Sequence, residues 1–432
     1  MSVSTKLQRI AKMAREYPTR SFTNLAHYID LDFLREAYNR TRKDGATGVD
    51  GVTGKEYERN LESNLQDLLD RFKSGRYRAP DVRRVHIPKG NGKTRPLGIP
   101  TFEDKVLQRA VAMVIGAIYE EDFLPCSYGF RSGRSAHQAL EDTRSTLMGM
   151  TGGWVVEADI RDCFGTFDHS WIRKILDLRI RDGVLIRVIG KWLNAGVIEE
   201  GRRTLPERGT PQGGVISPLL ANIFLHTALD QWFEHHARPK IGGHARLIRF
   251  ADDFVILCDR KEDAERFYAG IFARFAKFDL ELHPEKTRLV PFKRPPMGGP
   301  NDTESWDFLG FTHFWSRSRK GNWAIFRKTM ASRLSRGLNK VSDWCRKNRH
   351  EPVADQHRAL SRKIEGHCGY YGITGNSAAL QKYRQGVRTV WRKWLRRRSG
   401  GARRKNWAWW TRFFERYPLP PARAIHSTIP SA

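Results

Sequence analysis

Leu247-Ile248-Arg249-Phe250-Ala251-Asp252-Asp253-Phe254-Val255-Ile256-Leu257-Cys258 reads as two short apolar strands joined at a pair of acids. Both flanks are apolar, so the acids sit at a tight hairpin tip next to a core. Adjacent carboxylates repel and resist desolvation unless a cation or hydrogen-bond donors compensate. A separate apolar strand, Trp154-Val155-Val156-Glu157-Ala158-Asp159, also ends in an acid. A sheet that aligned these stretches would gather Asp159, Asp252 and Asp253. That is an oxygen-only ligand set for two Mg²⁺ ions about 3.5–4 Å apart. Asp is also a common turn residue, so the hairpin alone admits a plain turn.

Outward from this stretch, residues 1–75 read as helical, with apolar spacing near 3.6 in Asp32–Tyr38 and Leu61–Phe72. A glycine-rich loop, Asp44–Gly51, lies between them. A hairpin follows, in which Arg83–Lys89 and Lys93–Ile99 flank Gly90-Asn91-Gly92. Glu103–Tyr119 reads as an amphipathic helix. Ser217-Pro218 suits an N-cap and first helical position. A Pro/Gly-rich loop, Lys293–Thr303, precedes Phe308-Leu309-Gly310-Phe311, after which the pattern becomes helical, roughly 327–347, 353–366 and 377–398, with a final aromatic stretch near 406–417. Strands with helices to about 310, then helices, predict an α+β body with an all-α appendage.

The 432 residues carry 76 Lys+Arg against 47 Asp+Glu, a net charge of +29. Residues 311–432 hold 28 basic and 5 acidic side chains, a net of +23, and eight of the 13 tryptophans. Basic residues interleaved with aromatics, densest in Trp391–Arg398, point to RNA or DNA through phosphate contacts and stacking. No apolar run approaches the ~20 residues that span a bilayer, and the basic N-terminus lacks the apolar stretch of a secretory leader. Five well-separated cysteines give no Cys-x-x-Cys pair, so neither a disulfide framework nor structural zinc is supported. A cytoplasmic protein with no membrane partner is expected. His235-His236 has no metal-ligand spacing and reads as surface.

Phe250-Ala251-Asp252-Asp253 and Asp159-Ile160-Arg161-Asp162-Cys163-Phe164 resemble the two acid motifs of a reverse transcriptase palm. Further segments resemble bacterial group II intron-encoded reverse transcriptase/maturases: Arg95–Pro100, Ser127–Arg131, Gly209–Gly214 with Ser217-Pro218, and Tyr370-Tyr371-Gly372. The similarity runs from about residue 20 to 420, with the motifs in the family's order. It implies a right-hand polymerase fold: an N-terminal helical extension of the fingers (1–75), fingers and palm (76–310), and a basic helical thumb/maturase-like region (311–432).

The implied activity is RNA-directed DNA synthesis from a primer 3′-hydroxyl and dNTPs. Asp159, Asp252 and, less directly, Asp253 would hold two Mg²⁺, with Mn²⁺ as a substitute. By the same resemblance Phe164 packs under the incoming sugar, Gln212 holds template base and nucleotide, and Lys286 protonates leaving pyrophosphate. Lys89 and Arg95, on a flexible cationic hairpin, suit the triphosphate, and Arg84 and Lys93 could serve equally. Partners would be RNA template, DNA primer and structured intron RNA. The family commonly has Tyr where this chain has Phe250, removing a hydroxyl beside the metals. No Cys-pair plus His-Asn-His segment follows, so target-DNA cutting is not expected. Two other readings stay open: an RNA-binding splicing factor without polymerase activity, and a relative turned to repair or phage defence.

Overall fold

The computed structural model describes residues 2–90, 93–205, 208–209, 213–297, 299 and 303–426, with backbone alone at 89, 90 and 93. The chain forms two compact units, Met1–Ala139 with Val156–Leu289, and Leu140–Val155 with Val290–Ala432. Its strands in chain order are β1 (Val82–Gly90), β2 (Lys93–Ile99), β3 (Trp154–Asp159), β4 (Val197–Glu199), β5 (Arg202–Thr204) and β6 (Ala245–Phe250). They continue with β7 (Asp253–Cys258), β8 (Arg288–Pro291), β9 (Trp306–Phe308), β10 (Phe311–Arg317) and β11 (Trp323–Thr329).

In the first unit, helices Val3–Glu16, Leu31–Arg40 and Leu61–Lys73 occupy the stretch expected to be helical. The Phe102–Asp122 helix packs against the first two of these. Thr101 caps it by accepting from the Asp104 amide, and Val106, Leu107, Ala110, Val111, Val114, Ile115 and Ile118 are wholly buried. Every residue of this helix is at least partly buried, so the amphipathic pattern belongs to a core element. Inside it, Asp104 accepts from Trp192 Nε1 at 2.7 Å and Gln108 Nε2 at 3.0 Å, and also from the Tyr77 hydroxyl. Burial nevertheless raises its carboxyl to about 6.

The expected hairpin is present: β1 and β2 pair antiparallel from Arg83↔Ile99 to Gly90↔Lys93, in a sheet of order β2-β1-β4-β5. The other sheet has the order β6-β7-β3-β8 and so sets β7 beside β3. The β6–β7 register ends at Phe250↔Asp253, which makes Ala251-Asp252 the turn and puts Asp253 on the strand. The turn thus falls one residue earlier than Asp252-Asp253, with Ala251 at φ +57°.

In the second unit, β9, β10 and β11 form an antiparallel sheet, and β10 and β11 fall where only helices are expected after about 310. Helix begins only at Ala331–Lys347 and continues in Val353–Tyr371, Ser377–Leu395 and Trp407–Arg416. These helices share a core in which Leu380, Tyr383, Val387, Trp391 and Leu395 recur at helical spacing. Trp391 is fully buried and donates from Nε1 to Gln356 Oε1 at 2.9 Å, so it is a core anchor and not a stacking face. The outward aromatics differ: Trp407 is 66% exposed under the Arg392 guanidinium, and Trp409 is partly exposed beside Lys405. Among the described residues no helix is long and apolar enough to cross a membrane.

Candidate active site

β3 ends at Asp159, whose backbone is tied to a distant turn: its carbonyl accepts from the His283 amide at 2.8 Å, and Arg161 N donates to Glu281 O. That turn closes as the Lys286 and Thr287 amides donate back to His283 O. It delivers Lys286, whose Nζ lies 2.5 Å from Asp159 Oδ2. On the neighbouring strand, Asp252 is half-buried in the turn and Asp253 is exposed at the start of β7.

A buried sulfur links the two acid-bearing stretches. The Cys163 thiol is pushed well up, by burial first and then by the charge of Asp252, with Asp162 and Asp159 adding and Arg249 opposing. Charges from a strand end and from a hairpin turn therefore converge on one side chain. Among the described residues no three Asp, Glu, His or Cys side chains form a ready-made metal cage, and Asp159 is occupied by Lys286. The donors are nonetheless all carboxylate oxygens, the chemistry that hard divalent cations require.

Sequence reasoning missed what holds the turn. Arg249 and Asp230 are both completely buried. Arg249 Nε and Nη2 donate to Asp230 at 2.7 and 2.5 Å, Nη1 to Asn222 Oδ1 at 2.9 Å and Nη2 to Ser127 Oγ at 2.9 Å. Nη1 also donates to the carbonyl of Ala251 at 3.0 Å, so the guanidinium grips the turn itself. Burial pushes the Asp230 carboxyl up, and the Arg249 charge and hydrogen bonds outweigh it, leaving it below the usual range. Asp230 is brought to Arg249 by a π-helical turn, His226–Asp230, that follows the Ser217–Leu225 helix. That helix begins at Ser217 after Ile216, with no side-chain cap, so Ser217 is its first residue and not its cap.

The Ser127–Arg131 motif packs on the same turn. Tyr128 N donates to Arg249 O, and Asn222 Nδ2 donates to Gly129 O at 2.6 Å. A Cβ on Gly129 would stand 2.3 Å from Ala251 N, so only glycine allows this approach. The signal available in the sequence was Arg249, a lone charge inside an apolar strand that needs a buried partner.

Phe164 lies in a short helix, Cys163–Thr166, and is buried beside Phe167. Gln212 and the side chain of Lys89 lie outside the described residues. The loop that carries Gln212 is anchored at its described ends. Gly209 N donates to Phe167 O at 2.7 Å, and a Cβ on Gly213 would meet Gly98 O of β2 at 2.4 Å. Arg95 is exposed on β2, opposite Ile87. Gly209 thus lies beside Phe164, and Gly213 beside the basic hairpin. His235 and His236 are exposed, as expected.

Mixed helix and sheet around a two-acid hairpin is the architecture of an α+β polymerase. Residues 87–313 match the family model described as "Reverse transcriptase (RNA-dependent DNA polymerase)". The chain belongs to this family of RNA-directed DNA polymerases, whose members use divalent metal ions. It is 32% identical to "Protein YkfC" of Escherichia coli (strain K12) over 363 residues, 75% of this chain and 92% of that protein. It is 38% identical to "Group II intron-encoded protein LtrA" of Lactococcus lactis subsp. cremoris over 222 residues, 51% of this chain and 37% of that protein. With "Putative COX1/OXI3 intron 1 protein" of Saccharomyces cerevisiae the identity is 33% over 208 residues, 48% of this chain and 25% of that protein.

Proposed function

We propose that the protein extends a DNA primer on an RNA template at a site built from Asp159, Asp252 and Asp253. The observation that carries this reading is the sheet order β6-β7-β3-β8, in which the strand that begins at Asp253 lies beside the strand that ends at Asp159. Two Mg²⁺, or Mn²⁺, held by Asp159 and Asp252 and less directly by Asp253, would supply neutralising charge for the triphosphate and acidify the primer hydroxyl. The chain's own residues do the rest.

The Arg249 fork fixes the turn. Phe164 underlies the sugar of the incoming dNTP and rejects a 2′-hydroxyl. Arg95, with Lys89, receives the triphosphate, and Gln212 orients the templating pair. The primer 3′-oxygen, its proton lost to solvent, forms a bond to the α-phosphorus as the α–β bridging bond breaks and pyrophosphate leaves. Lys286, poised at Asp159, gives a proton to departing pyrophosphate.

Fingers (with residues 1–75), palm (to 310) and a basic thumb (311–432) describe the division of labour. Because relatives carry intron-encoded names, we assign the basic helices to structured group II intron RNA as well as to the template–primer duplex, with a role in splicing and mobility.

Asp252→Ala and Asp253→Ala test the reading in an RNA-templated primer-extension assay. Extension falls at least about a thousandfold, roughly 4 kcal/mol, while RNA binding in a gel-shift titration stays within about twofold. Extension surviving both substitutions refutes the assignment.

A further inference from the structure

Phe130 presents a large apolar ring to solvent from a strained backbone, one residue from the Asp252 turn. It is 62% exposed and sits at φ +55°, a region that a bulky L-residue occupies only when its surroundings over-determine it.

Both neighbours are clamped. Gly129 is pressed against Ala251 N, with its carbonyl held by Asn222. Arg131 is drawn inward. Its Nε donates to Glu120 Oε2 at 3.0 Å, its Nη1 to Leu124 O at 3.0 Å and Ser127 O at 2.9 Å, and its side chain is only 6% exposed. Between two fixed points the ring of residue 130 has only the outward direction. Glycine would meet that backbone demand without strain, yet the position carries an aromatic. Four residues on, the exposed Arg134 lies over the Tyr128 ring at 5.3 Å and gives the same segment a cation. An exposed π-face with a nearby guanidinium, next to an acidic turn, matches the chemistry of one nucleobase and its phosphate.

We propose that Phe130 is a stacking platform for a nucleobase of the bound template–primer, close to the pair being formed. This inference rests on the polymerase reading above.

The test uses the full chain and an RNA-template/DNA-primer hybrid carrying 2-aminopurine, either as the primer-terminal base or as the template base opposite it. Affinity is measured without metal or dNTP, so that it is independent of turnover. Phe130→Gly weakens binding about tenfold, and Phe130→Trp restores it to within about twofold. Thermal unfolding of the glycine variant occurs at or above the wild-type temperature, because the strain is relieved. Fluorescence quenching seen with wild type and lost in Phe130→Gly identifies the strand, by appearing in the primer arm or the template arm. Equal affinity of wild type and Phe130→Gly overturns the proposal, as does weakened binding with no change of quenching in either arm. Extension by wild type in the same preparation separates the two failures. Its absence counts against the polymerase reading, whereas its presence with unchanged Phe130→Gly binding counts against Phe130 alone.

Discussion

Lys286 Nζ meets Asp159 Oδ2 at 2.5 Å across 127 positions of sequence, which joins the expected proton donor to an expected metal ligand. The lysine neutralises the carboxylate in the absence of a cation, so ion and ammonium compete for the same oxygen. Lys286→Ala should therefore tighten Mn²⁺ binding modestly, by about threefold for so exposed a pair. The same change should slow primer extension about a hundredfold by removing the acid. Titration by Mn²⁺ paramagnetic resonance and single-turnover kinetics measure the two effects. An unchanged extension rate would make Lys286 a surface residue.

Arg249 and Asp230 separate stability from positioning. Arg249→Met strands a buried carboxylate and should cost about 3–5 kcal/mol in denaturant unfolding. The double replacement Arg249→Leu with Asp230→Leu should recover most of that loss, because an apolar pair of similar volume packs without desolvation cost. Extension should stay depressed about a hundredfold in the double variant, since nothing grips the Ala251 carbonyl. Recovery of both stability and extension would reduce the pair to a packing role.

His313 gives the second unit a pH dependence. It is fully buried on β10 and stacked at 4.3 Å on Trp306. Burial, with the charge of Arg327 on the paired strand position, lowers it from 6.5 to about 3. The folded chain thus keeps it neutral while the unfolded chain takes a proton below 6.5. Its contribution is complete above pH 6.5 and declines as pH falls toward 3. His313→Phe should abolish that decline. Between pH 7 and 5 wild type should lose about 2 kcal/mol more than the variant in urea titrations. Parallel pH profiles would count against the buried neutral imidazole.

The net +23 of residues 311–432 sets an ionic-strength test. RNA affinity should fall linearly on a log–log plot against salt, with a slope of about −0.7 for each phosphate neutralised on single strands. Arg392→Ala, beneath which Trp407 lies, should reduce the slope by about one phosphate. A flat plot would remove the electrostatic grip.

The palm-like strands were legible because each is a short, mostly apolar run next to an acid, and the hairpin because glycines punctuate it. β10 and β11 were not. They alternate correctly, but their inward positions include His313 and Arg327, polar residues that hide the period-two pattern. The acids stood out by their apolar flanks, whereas their scaffold did not. Ser127, Asn222, Asp230 and Arg249 are scattered over more than a hundred residues and become one network only in three dimensions. The one-residue shift of the turn has a local cause: Ala251 adopts a left-handed conformation that composition does not advertise. The tryptophans of the basic region look alike in sequence, yet burial divides them, with Trp391 in the core and Trp407 outside.

All five cysteines are unpaired, and four are buried. Burial holds Cys163 and Cys258 well above the ordinary thiol range and raises Cys345 to about 12, which starves these sulfurs of the thiolate that alkylating reagents attack. The native protein should thus offer a chemically quiet background. A single cysteine introduced at an exposed site, such as Leu178, would take a maleimide dye ahead of the resident thiols, and their slow labelling would double as a clock for unfolding.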